Sequence, residues 1–310
     1  MIIQKTYKNN RPTVYLITTP IGNLEDISLR AIKTLKQVDV ICCEDTRTSK
    51  VLLDKYQIAN NLLSLHKFNE NLRVEQIISL LNQNKNIAII SDAGVPIISD
   101  PASYIINQLK ELEINCNITA IGAGSAYLHA LISSGFLIDS HYFYGFLKNK
   151  NKISKQNELT ELINKYANDS IICLYESVHR LKSTINCLNE ILNKNHKIVI
   201  VKELTKINEE IIYATIDQMN QYIINSDEFV LKGEFVIIIN KMIKTSKKQF
   251  TDLKLINLID EQIKEGYKLK QACEIVYLKT KISKNVLYKK YTFKKISNTL
   301  IGGILWKKLI

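Results

Sequence analysis

At 310 residues and 46% apolar content the chain has material for two domains of ordinary size plus an appendage, which excludes a small stapled scaffold. Its six cysteines include no C-x-x-C pair and several sit in apolar runs such as Val40-Ile41-Cys42-Cys43, so they read as buried thiols of a reducing compartment rather than disulfides or zinc ligands. The net charge of +12 is uneven: residues 1–240 carry 25 basic and 25 acidic side chains, whereas residues 241–310 carry 17 Lys against 5 acids.

That asymmetry describes a neutral body with a basic appendage, as expected if one part grips a polyanion that another part modifies. Compositional drift in a chain rich in Lys, Asn and Ile competes with this reading. Met1 to Arg11 is polar and basic without an apolar signal core, and no stretch reaches the roughly 18 apolar residues of a membrane span. A soluble cytoplasmic protein is expected, with no membrane partner.

From Val14 to Ala126, β-branched runs alternate with amphipathic stretches. Strands are predicted at Val14–Thr18, Val38–Cys43, Leu62–Leu65, Ile87–Ser91 and Ile118–Ile121; helices follow from Leu29, Ile32, Leu35 and from Val74, Ile77, Ile78, Leu81. This alternation predicts an α/β lobe with a largely parallel sheet over 12–126. After Ser133-Ser134-Gly135 the pattern restarts, with strands at His141–Gly145, Ile171–Tyr175, Ile198–Val201, Ile211–Thr215 and Phe235–Ile239 and helices near Lys155–Tyr166 and His179–Leu192, giving a second α/β lobe over 127–241. From 242 to 310 the segments Leu253–Glu265, Lys270–Leu278 and Lys284–Tyr291 read as Lys-rich amphipathic helices of a small helical domain. Ile296–Ile310, with Gly302-Gly303 and Trp306, yields no structural reading.

Ligands of open α/β sheets bind at the carboxyl ends of strands, so the strand-to-helix loops are the places to search. Three in the first lobe are rich in Gly, Pro and Asp. In Thr18 to Asp26, Pro20 and Gly22 set a turn whose backbone can approach a ligand, while Asn23 or Asp26 can simply cap the next helix. In Ser91 to Pro101, Asp100 and Pro101 fit a helix start, but capping does not explain Asp92. Gly122-Ala123-Gly124-Ser125-Ala126 holds half a dinucleotide fingerprint, which is weak on its own. Neither a Walker motif, H-E-x-x-H, a nucleophile elbow nor a metal-ligand cluster is present, so no metal is expected.

These loops belong to a longer series: Thr19 to Asp26, Glu44-Asp45-Thr46-Arg47, His66-Lys67-Phe68-Asn69-Glu70, Ser91 to Pro101, Glu176-Ser177-Val178-His179-Arg180, Lys202-Glu203-Leu204-Thr205-Lys206 and Gly233-Glu234-Phe235-Val236. In this order, over about residues 14–240, they resemble the tetrapyrrole-methylase superfamily, and within it the enzymes that methylate a cytidine ribose in bacterial small-subunit (16S) ribosomal RNA. Departures are the Gly122-Ala123-Gly124 turn where the family has Pro-Gly-Pro, Val178 for Pro, Ala102 for Gly and Lys202 for Arg.

The resemblance implies two α/β lobes of tetrapyrrole-methylase type with a cofactor cleft between them, a homodimer, and a C-terminal helical domain that helps bind RNA. It implies S-adenosylmethionine as cofactor, held by Pro20, Gly22, Asp92, Gly94, Pro96, Ile98, Ser125, Ala126 and Tyr175. The partner implied is 16S ribosomal RNA or the small ribosomal subunit. A ribose hydroxyl is a weak nucleophile, so a base should take its proton as the bond forms; Asp45, His66, Glu70 and Glu176 are the candidates. Arg47 and Arg180, with Lys247, Lys248, Lys284, Lys289 and Lys290 of the basic segment, are the candidate RNA contacts, though Arg47 can also pair at a helix cap and Arg180 with Glu176. Two other readings stay open: a methylase of a small-molecule or protein acceptor, and a non-catalytic ribosome-binding factor of the same fold.

Overall fold

The computed structural model describes residues 1–66, 69–98, 102–122, 124–148, 151–242 and 252–280, together with Lys284, Leu287, Tyr288 and Tyr291. Two compact units emerge, Met1–Met242 and Ile243–Ile310.

In the first unit, β2 (Thr13–Ile17), β3 (Val40–Cys43), β4 (Asn61–Ser64), β5 (Ile87–Ile90) and β6 (Asn117–Ile121) form an all-parallel sheet in the order β4-β3-β5-β2-β6. Strand alternation sends side chains to two faces, and both are buried, which is why these strands read as unbroken apolar runs. Ile17, Ile41, Cys43, Ala88 and Ile90 pack on α1 (Leu29–Gln37) and α2 (Thr46–Lys55). Val14, Leu16, Cys42, Ile87 and Ile89 face α3 (Glu70–Asn82), α4 (Ala102–Glu111) and α5 (Ala126–Ser133).

The second sheet has the order β1-β10-β9-β11-β8-β7 and is mixed: only β7 (His141–Phe146) and β8 (Ile171–Glu176) run parallel. β9 (Lys197–Lys202), β10 (Glu210–Thr215) and β11 (Phe235–Ile239) are joined antiparallel. Cys173, Val199, Val201, Val236 and Ile238 join the α3–α5 side of the first lobe in one cluster, with α5 against β8 and β11. Ile172, Leu174, Ile198, Ile200, Ile237 and Ile239 face α6 (Lys152–Tyr166), α7 (Val178–Ile191) and α8 (Ile216–Asn225). The ten predicted strands are present within two residues of their expected ends. The polar N-terminus adds a strand for which no expectation was drawn from the sequence: β1 (Ile2–Lys5) leaves the lobe that follows it in sequence and pairs antiparallel with β10.

Ten glycines in 310 residues leave few for helix ends. Gln57, Asn84 and Glu113 therefore take left-handed backbone (φ 54°, 59° and 52°) after α2, α3 and α4, each closing a Schellman pair such as Ile58 N–H to Leu53 O (2.9 Å) and Gln57 N–H to Asp54 O (3.1 Å).

In the second unit, α9 (Asp252–Lys264) ends at Gly266 (φ 97°) and α10 (Leu269–Thr280) follows. Lys284, Leu287, Tyr288 and Tyr291 are helical at i, i+3, i+4, i+7 spacing. Leu255, Ile259, Cys273, Val276, Leu287 and Tyr291 make its core, and the Tyr291 hydroxyl donates to Asp260 at 2.5 Å. Ile296–Ile310 lies outside the described residues. No described helix is long and apolar enough to cross a membrane, and the six cysteines are buried free thiols.

Candidate active site at the carboxyl edge of the parallel sheet

α2 leaves β3 toward one face of the sheet and α4 leaves β5, its neighbour, toward the other, so a crevice opens between their carboxyl ends. Backbone bonds stitch the surrounding loops. Thr19 and Gly94 exchange N–H···O bonds of 2.9 and 3.1 Å, joining the loop after β2 to the loop after β5. The Thr19 hydroxyl donates to Ser91 O (3.1 Å), and the Ser91 hydroxyl donates to Gly94 O (3.0 Å). Gly94 has φ +76°, backbone that favours glycine, and a Cβ there would lie a tight 3.1 Å from Ile21 Cγ2. Asp92 is exposed and accepts the Asp45 N–H at 3.2 Å, tying the loop after β3 to the same edge. Capping in the first loop falls to residues other than Asp26: Asn23 caps the short turn Leu24–Asp26 and Ser28 caps α1.

β2 also borders β6, whose loop completes the edge. Gly122 (φ +81°) sits where a Cβ would be 3.5 Å from Ser28 Oγ, and Ser125 is the N-cap residue of α5. The second lobe reaches this point through Tyr175, whose hydroxyl is 3.2 Å from Ser125 Oγ and accepts the Tyr127 N–H at 3.2 Å. The structure thus gathers Pro20, Gly22, Asp92, Gly94, Ser125, Ala126 and Tyr175 on one edge, with Pro96 buried and Ile98 half-buried in the same loop. Asp100 and Pro101 lie outside the described residues, as does Ala123.

The candidate bases have different surroundings. Asp45 caps α2 by accepting the Arg47 N–H (2.8 Å) and takes a two-pronged contact from the Arg47 guanidinium (3.1 and 2.6 Å). The Arg47 side chain, together with these backbone bonds, holds the carboxyl down to about 2. Glu176 is buried at the end of β8, accepting from Ser177 N–H (2.8 Å) and Thr184 Oγ1 (2.6 Å) and pairing with Arg180 Nε (2.9 Å). His66 and Glu70 flank the turn between β4 and α3, and Leu65 N–H binds Cys43 O at 2.8 Å, so this turn lies beside the end of β3. Asn69 contacts His66 Nε2 at 3.1 Å. Lys67 and Phe68 lie outside the described residues.

The candidate RNA contacts divide similarly. Arg47 is paired with Asp45 yet mostly exposed, Arg180 is turned inward to Glu176 and Leu147 O (2.8 Å), and Lys284 is paired with Glu274. Lys247, Lys248, Lys289 and Lys290 lie outside the described residues. Among the described residues no group of three His, Cys, Asp or Glu is placed to hold a metal ion.

The profile of the tetrapyrrole (corrin/porphyrin) methylases matches residues 13–220, which hold the whole parallel sheet, β7–β10 of the second sheet and every loop of this edge. The chain belongs to the tetrapyrrole methylase family. Among its similar relatives, the ribosomal RNA small subunit methyltransferase I of Bacillus subtilis (strain 168) is 36% identical, covering 93% of this chain and 97% of that protein. Those of Streptococcus pyogenes serotype M6 (34%; 94% and 99%) and Haemophilus influenzae (36%; 89% and 94%) are similarly matched.

This tetrapyrrole methylase holds two features in its edge that sequence reasoning passed over. The Thr18 hydroxyl, directly after β2, is buried with no hydrogen-bond partner among the described residues; as the last residue of an apolar run it looked like strand. Ile97 has φ +80° while its side chain is buried, a sparsely populated state for a β-branched residue that costs on the order of 1–3 kcal/mol. No local sequence signal marks an isoleucine for left-handed backbone.

Proposed function

We propose that this chain transfers a methyl group from S-adenosylmethionine to the ribose 2′-hydroxyl of a cytidine in 16S ribosomal RNA, as a cytoplasmic homodimer acting on that RNA or on the small ribosomal subunit. The observation that carries this reading is likeness over 93% of the chain to a protein named as a ribosomal RNA small subunit methyltransferase, including residues beyond 220.

The edge of the parallel sheet fits the methyl donor. The buried Thr18 hydroxyl offers an unused donor and acceptor, and beside Gly22 and Gly124 nothing lies within 4 Å of where a Cβ would sit, so backbone is open to close approach. Pro20, Gly22, Asp92, Gly94, Pro96, Ile98, Ser125, Ala126 and Tyr175 would hold the donor. When bound, S-adenosylmethionine supplies a methyl group activated by its sulfonium charge. The protein's part is to align the acceptor hydroxyl and keep water out, worth up to roughly 7–11 kcal/mol.

Proton removal falls to the His66–Glu70 turn. Asp45 is too weak a base when held at about 2 by Arg47, and Glu176 spends its acceptors on Ser177, Thr184 and Arg180. Glu176 and Arg180 then position the end of β8, where Tyr175 meets Ser125. RNA affinity is assigned to Arg47 and to the Lys-rich residues 241–310, whose cations suit a phosphate backbone.

Calorimetric titration with S-adenosylmethionine tests the assignment of the edge. Asp92→Ala removes the acceptor that joins the β3 and β5 loops, and its affinity should fall about tenfold. Affinity equal to the unmodified chain would take this loop out of the donor site.

A further inference from the structure

The opposite, amino-terminal edge of the parallel sheet holds a second polar site that methyl transfer does not use. Arg11 precedes β2, Cys116 precedes β6, and Lys110 stands in the last turn of α4. These three line a cavity of about 280 Å³, and Lys110 also lines an adjoining one of about 270 Å³ toward β10.

Lys110 is held in place by three elements. Its stem runs past Gly135, where an added Cβ would fall 2.5 Å from Lys110 Cγ. Its ammonium lies 3.8 Å from the centre of the Tyr213 ring on β10. Among the described residues its one polar contact is a long 3.5 Å approach to Gln4 Oε1 on β1, an oxygen that already accepts the Ile118 N–H at 3.0 Å. Neither Lys110 nor Arg11 forms an ion pair among the described residues. The neighbouring cation, Lys197, is neutralised by Glu111 at 2.6 Å, while Glu113, at the rim, pairs with neither.

A half-buried ammonium without a counter-charge is costly, and a guanidinium nearby makes it worse. Burial and, to a smaller degree, Arg11 press the Lys110 ammonium down to about 8 against the opposing pull of the Cys116 thiol. Stacking on Tyr213 and the carboxyl end of the α4 dipole return only part of that cost. An oxyanion would supply what is missing: a charge between two cations, one a planar fork suited to two oxygens and one a point charge.

We propose that the cavity lined by Arg11 and Lys110 is a binding site for a phosphate-type oxyanion, on the edge of the sheet opposite the methyl-transfer site. The phosphate is either free, as inorganic phosphate or a small ester, or part of an RNA backbone. Because Arg11, Lys110 and Cys116 belong to the first lobe while Ile2 and Ile3, which also line this cavity, belong to β1 of the second sheet, an occupant would tie the two lobes together.

Thermal unfolding of the full chain at fixed ionic strength, with inorganic phosphate exchanged against chloride, tests this. The midpoint should rise saturably with phosphate, and Lys110→Met and Arg11→Gln should each weaken the response about tenfold or more. Without phosphate, Lys110→Met should be at least as stable as the unmodified chain, since the thioether keeps the stem and removes an unpaired charge. Saturating RNA oligonucleotide that abolishes the phosphate response in the unmodified chain identifies a backbone phosphate as occupant; an unchanged response identifies the free anion. A midpoint indifferent to phosphate, or a response equal in all three proteins, overturns the proposal. So does a Lys110→Met chain that is destabilised while the unmodified and Arg11→Gln chains ignore phosphate, which leaves Lys110 as a stacking support for Tyr213.

Discussion

Asp45 and Arg47 show how a carboxylate beside a cleft can be removed from acid–base work. Its ionised form accepts one backbone and two guanidinium bonds, so it keeps its charge far below the ordinary aspartate range. With the folded value depressed, what the ionised group contributes is fully present above the unfolded value and is lost only as pH falls toward about 2. Asp45→Asn should therefore leave the midpoints of the pH–rate profile for methylation unmoved in the neutral range, whereas His66→Ala should lower kcat by about 10²–10⁴-fold. A displaced profile in Asp45→Asn would return proton transfer to that residue. The sequence left two readings of Glu44-Asp45-Thr46-Arg47 open, a phosphate-binding arginine and a helix cap with an ion pair, and the geometry shows Arg47 paired with Asp45.

Elements were far more legible than contacts, for a physical reason. Strands buried on both faces, such as Ile87–Ile90 and Phe235–Ile239, need apolar side chains at every position, so they stand out as runs. β1 did not, because among Ile2–Lys5 only Gln4 is buried, and its partner β10 lies some 200 residues away in sequence. The site loops were legible through Gly, Pro and Asp at strand ends, while the Thr19–Gly94 bridge, the orphaned Thr18 hydroxyl and the Ile97 backbone depend on neighbours that no local window contains. Helix ends shortage of glycine has a measurable consequence. Gln57 is exposed and left-handed after α2, so Gln57→Gly should raise unfolding free energy by about 1 kcal/mol in a urea titration; a loss of stability would mean that the side chain matters more than the backbone.

At the scale of the whole molecule, charge and chemistry are separated along the chain. Residues 1–240 are neutral and contain the sheet edge assigned to the methyl donor, whereas the excess of Lys lies beyond them. Removing residues 244–310 should leave the calorimetric affinity for S-adenosylmethionine unchanged and abolish methylation of small subunits; full methylation by the truncated chain would deny the basic unit a part in RNA capture. The most direct test of the account supplies the full chain with methyl-labelled S-adenosylmethionine and small ribosomal subunits lacking the modification, then maps the label. The account predicts label on the 2′-oxygen of a cytidine in 16S ribosomal RNA. Subunits that bind the protein but acquire no label, or label found on a protein or small molecule instead, would contradict it.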